Sequence, residues 1–195
     1  MAKKRRKYEF RPDPKGVNLL KVLHLTQQQR RVLLKWTLYG VLWLLALVVQ
    51  DTMMSRVRVS GATTDLVVCV MILVGVFEGI EEGGMFALIS SLIYYFSGSA
   101  PGTFTIALVT VLTVGACVFR QSYWRRGFTS TVLCAGLALI LYEMLVFLIG
   151  VFMNLTIWSR AGVFFLTGAL STAVLLPLYP LVRAIGKIGG ETWKE

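Results

Sequence analysis

This chain is short of charge, of histidine and of paired cysteines. Only 15% of its 195 residues are charged, against about a quarter in soluble domains, which argues against an ordinary soluble globular protein. His24 is the one histidine, so no second imidazole exists to complete a metal site or a proton relay. Cys69, Cys117 and Cys134 are odd in number and each lies in an apolar run. Their spacing suits neither zinc nor CxxC chemistry, and they read as small apolar packing residues. HExxH, a Walker loop, GxSxG and a glycine-rich dinucleotide fingerprint are all missing. The expectation is a non-enzymatic protein with no catalytic residues, no cofactor and no metal.

Hydrophobicity is what the chain has in abundance: 56% hydrophobic residues and a mean hydropathy of +0.69. A bilayer core of roughly 30 Å needs about 20 apolar residues per helical span. Apolar runs lie at 32–50, 66–77, 84–96, 104–119, 128–154 and 163–182. They predict an all-α, polytopic membrane protein of about six transmembrane helices. The run 66–77 is the awkward one, because twelve residues rise only about 18 Å. Five spans plus a re-entrant hairpin is the alternative. Three regions follow: a basic cytoplasmic tail over 1–31, a helical transmembrane domain over 32–185, and a cytoplasmic tail over 186–195. Pro177 and Pro180 are expected to kink or terminate the last helix.

The charge present is segregated. Residues 1–35 carry eleven Lys and Arg against Glu9 and Asp13, which is nearly all of the chain's net +10. A basic tail beside a first span reads as an anchor on anionic lipid headgroups. Nucleic-acid binding by KKRRK is the rival and is set aside, because the tail leads straight into apolar sequence. NLLKVLHLTQQQRRVLLKW has apolar residues at helical spacing and reads as an amphipathic helix on the membrane face. Basic residues interleave with aromatics again in RQSYWRRG, where Arg120, Trp124, Arg125 and Arg126 suit headgroups or a cytoplasmic partner. The basic bias places both termini in the cytoplasm and the connections 51–65, 97–103 and 154–162 outside.

The stretch GVFEGIEEGGMFALISS, 75–91, places small residues at every fourth position: Gly75, Gly79, Gly83, Ala87 and Ser91. It also holds Glu78, Glu81 and Glu82. A central acid costs about 2.5–3.5 kcal/mol on insertion scales, so one unbroken helix across these three is disfavoured. The cheaper solution is a water-facing turn, EGIEEGG, with one helix ending near Phe77 and the next beginning near Gly84. Gly75, Ala87 and Ser91 then let neighbouring helices approach. Glu143 is the sharpest single residue, lying deep in ALILYEMLVFLIG. An intramembrane carboxylate marks either a functional site or a hydrogen bond between helices, with Ser90 and Ser91 as candidate partners.

The run from VVQDTMMSRVRVSGATTDLVV to YYFSGSAPGT resembles the rod shape-determining MreD family. Gln50, Gly61, Asp65 with Leu66, Gly75, Gly79, Gly83 and Ser97-Gly98 carry the likeness, which covers about 32–185. Thr64 stands where that family has proline, and Ser91 and Tyr95 where it tends to have glycine and aspartate. The resemblance implies a multi-pass scaffold in the bacterial cytoplasmic membrane. Its expected partners are an MreC-like bitopic protein and other proteins of the elongation complex, and its role is organising lateral peptidoglycan synthesis and cell shape. It also implies a fold similar to the substrate-binding subunits of energy-coupling-factor transporters. A vitamin-type transporter subunit is therefore the alternative, with Glu143, Ser90 and Tyr94 as its candidate cavity. An intramembrane enzyme using Glu143 as base and Arg120, Arg125 or Arg126 on phosphate is a third, weaker reading.

Overall fold

Ten consecutive residues, Val67–Val76, are buried, and they belong to one helix. A helix that is apolar all round belongs in the middle of a bundle, and that is where it lies. The computed structural model describes residues 27–54, 61–123 and 127–188. Within them α1 spans Gln27–Val49 and continues as a π turn over Gln50–Met54. The central helix is α2, Leu66–Glu78. Then follow α3, Ile80–Phe96, α4, Phe104–Tyr123, and α5, Phe128–Phe152. A 3₁₀ turn over Trp158–Arg160 leads into α6, Ala161–Ile188. The described residues are thus helices and short connections, and α2 touches each of the other five helices.

That enclosure explains why so short a helix is tolerated. Surrounded by protein, α2 has no need to match a bilayer, and its ends are met by side chains of other elements instead of water. At its start the Asp65 carboxylate accepts from the Val68 amide at 3.4 Å, and the Gln50 side-chain oxygen accepts from the Val67 amide at 2.8 Å. The Asp65 amide donates to Ser171 Oγ at 3.0 Å. At its finish Arg120 donates to the Val76 carbonyl at 2.6 Å, and Cys117 Sγ lies 3.3 Å from the Gly75 carbonyl. An acid at the N-terminus and a base at the C-terminus also complement the helix dipole.

Two expectations are corrected. The reversal between α2 and α3 is not a loop reaching Gly84. Gly79 alone caps both helices, at φ +99°, and α3 resumes at Ile80. Only glycine takes that conformation cheaply. Gly83 is then a packing residue in the first turn of α3, where a Cβ would run into the Gly75 carbonyl oxygen. Nor do Pro177 and Pro180 terminate the last helix, which continues to Ile188. Both prolines lie on its exposed side. The opposite side, with Leu175, Leu178, Tyr179 and Val182, is buried and keeps the helix continuous.

Candidate functional site

Three places on this bundle have chemistry, and α2 and α3 organise all of them. The first is at the Gly79 end of α2. Lys35 Nζ stands 2.6 Å from Glu78 Oε2, with both side chains 3% exposed. Tyr39 OH donates to the other carboxylate oxygen at 2.7 Å. Lys35 and Tyr39 are one turn apart on α1, so a single helix face delivers both groups. The Lys35 ammonium is also 3.5 Å from Glu82 and 5.0 Å from the Trp36 ring centroid. The expectation that all three acids meet water is therefore corrected: Glu81 and Glu82 are exposed, but the side chain of Glu78 is enclosed and paired. Lys35 makes that burial tolerable, since a desolvated carboxylate needs a counter-charge and hydrogen bonds.

The second place is a cavity of about 520 Å³ at the opposite, Asp65, end. The segment 61–65, the ends of α1 and α3, the middle of α5 and the first turns of α6 line it. Asp65, Glu143, Tyr94, Tyr142 and Thr167 line its walls, and the exposed Arg160 borders it. Gln50 organises the wall by donating to Tyr94 OH at 3.1 Å while accepting from the Val67 amide. Burial pushes the Asp65 carboxyl above the usual carboxylate range, against the lowering pull of the Val68 amide. Glu143 is 6% exposed. It forms neither of the serine hydrogen bonds anticipated for it: Ser91 Oγ donates within its own helix, to the Leu88 carbonyl, and Ser90 faces elsewhere.

The third is an apolar groove of about 620 Å³ between α1 and α3. Trp43 and Leu44 form one wall, Met85, Ile89 and Ile93 the other, and Gly40 leaves the floor open. Glu81 and Glu82 stand at its Gly79 end. Ser90 borders this groove, whereas Tyr94, one turn later, borders the cavity. One helix thus serves both sites.

The remaining candidates fall as follows. Gly75 and Gly83 oppose one another across the α2–α3 hairpin, and Gly79 is its hinge. Ala87 and Ser91 are fully buried within the bundle. Arg120 holds the Val76 carbonyl, with its guanidinium 5.9 Å from the Phe77 ring centroid. Arg120 and Glu143 are not brought together: Arg120 holds the Val76 carbonyl near the C-terminus of α2, and Glu143 faces the cavity at the Asp65 end. Trp124, Arg125 and Arg126 lie outside the described residues, as does most of the basic tail with its amphipathic stretch. Lys35, Asp65 and Arg160 were not singled out for chemistry. A lysine inside an apolar stretch, with tyrosine four residues on, was the available sign that a buried acid awaited it.

Among the described residues, then, this is an all-α bundle with four helices long and apolar enough to cross a membrane and a shorter apolar helix at its centre, as a membrane protein would have. No family model, no curated protein and no solved structure matches the chain.

Proposed function

We propose that this protein is a membrane scaffold of the bacterial cell-elongation machinery, and that its α1–α3 groove seats the single membrane span of an MreC-like partner. The groove carries this reading. Leu44, Met85, Ile89 and Ile93 are each about half exposed along it, and the open floor at Gly40 admits a helix closely. The Gly79 end is assigned to the cytoplasm by the basic residues around it. A bitopic partner with its N-terminus inside carries basic residues at that level, where Glu81 and Glu82 meet them. The family resemblance supplies the partner's class, and the groove supplies the place.

The test is recovery of the MreC-like protein with tagged full-length chain from native membranes. A Cβ at Gly40 meets nothing within 4 Å, and the same holds for Gly115 on α4. Gly40→Phe fills the groove and is expected to reduce recovery severalfold; Gly115→Phe, an equally open site outside the groove, leaves it unchanged. Equal recovery with both variants overturns the assignment. Bulky residues at Ala87 or Ser91 would not serve, since those positions are spent on internal packing.

A further inference from the structure

The cavity at the Asp65 end is not explained by a scaffold. Its volume of about 520 Å³ falls in the usual range of small-molecule sites, roughly 300–1,000 Å³. Two acids on different elements face it: Asp65 in the segment before α2, and Glu143 halfway along α5. Glu143 is buried yet makes no hydrogen bond or ion pair with any described residue. Tyr142, next to it in sequence, also lines the cavity, with its buried hydroxyl beside that of Thr105. Buried polar groups are normally satisfied, and a buried carboxylate strongly so. At the Gly79 end of the same helix the chain supplies Lys35 for Glu78. At the Asp65 end it supplies an opening of ligand size.

We propose that this cavity is a binding site for a small molecule bearing a primary or secondary ammonium group, held between Glu143 and Asp65. The ammonium provides the charge-assisted hydrogen bonds that Glu143 lacks. The rings of Tyr94 and Phe164 cover the ligand's carbon skeleton. A monatomic cation would leave most of the volume unfilled, so an organic amine is the better match. Arg160 stands at the border, where it suits an anionic group at the far end of a zwitterion. This site is separate from the groove and does not depend on the scaffold reading.

The experiment uses the purified full-length protein in nanodiscs, with no partner present. Thermal unfolding is followed with ethanolamine, phosphoethanolamine, cadaverine and lysine, each beside a counterpart in which every amine is replaced by a hydroxyl. At least one amine is expected to raise Tm by roughly 3 °C or more at saturation, with its counterpart inert. Response to phosphoethanolamine and lysine alone assigns Arg160 to an anionic tail; response to ethanolamine and cadaverine as well assigns the site to the amine only. Glu143→Gln, which keeps the volume, weakens that amine roughly tenfold or more. Should that variant fail to fold, Thr167→Leu, which narrows the cavity, is expected to abolish the shift. A flat response to every amine, equal response to the hydroxyl counterparts, or full affinity in both variants overturns the proposal.

Discussion

Lys35 and Glu78 lie 43 residues apart in sequence and 2.6 Å apart in space. Their contact ties the third turn of α1 to the last residue of the central helix. Tyr39 locks the same carboxylate from the next turn of α1 and approaches the Val182 carbonyl of α6 at 3.4 Å. Three helices are therefore indexed against each other at one buried point.

Removing one partner of such a pair strands the other charge, at a cost of about 3–5 kcal/mol. Lys35→Met is expected to lower stability by that amount in a detergent thermal-unfolding assay. Combining it with Glu78→Leu should restore most of the loss, because two matched apolar side chains need no counter-charge. A double variant as unstable as the single one would show that the pair matters for something other than its charge balance.

Arg120 closes the α2 C-terminus. Arg120→Ala leaves the Val76 carbonyl buried without that donor, and a hydrogen bond to a charged group is worth about 1.5–3 kcal/mol. A Tm drop is expected, with Arg120→Lys recovering part of it. No change in Tm would mean that other donors reach the carbonyl.

Gln50→Leu opens the other end of α2. It removes the acceptor for the Val67 amide and the donor to Tyr94 OH together. Leaving a buried amide unpaired costs about 1–3 kcal/mol. Hydrogen exchange at Val67 should speed up while the α2 C-terminus stays protected; exchange unchanged from the natural chain would refute the role given to Gln50.

The α2–α3 hairpin has no room at Gly83. Gly83→Ala forces the two backbones apart, an overpacking cost of about 1–3 kcal/mol, whereas Gly115→Ala faces open space. Paired melting curves of these two variants, with only the first lowered, check the contact.

Much of the architecture was legible beforehand. The apolar runs at 66–77, 104–119 and 128–154 fall within or nearly match Leu66–Glu78, Phe104–Tyr123 and Phe128–Phe152. A break between 77 and 84 was foreseen from the cost of burying acid in lipid. Glu78, Glu81 and Glu82 look alike in sequence and differ in the fold. Hydropathy assigns one value to every glutamate, whereas the burial of each depends on whether another helix brings a base to it. Glu143 was found because an acid deep in an apolar run is conspicuous. Asp65 was noted only through the family resemblance, and its share in a cavity was hidden because Gln50, Tyr94, Tyr142 and Arg160 come from four separate segments.

Local physics alone settled that this chain makes apolar helices and that Gly79 interrupts one of the apolar stretches. These follow from transfer free energies and backbone sterics, which each short segment carries with it. Tertiary packing settled which helix is central, that Glu78 finds Lys35 while Glu143 faces an open cavity, and that α1 and α3 leave a groove between them. Those outcomes depend on which faces meet across dozens of residues, and no segment holds that information until the others have folded around it.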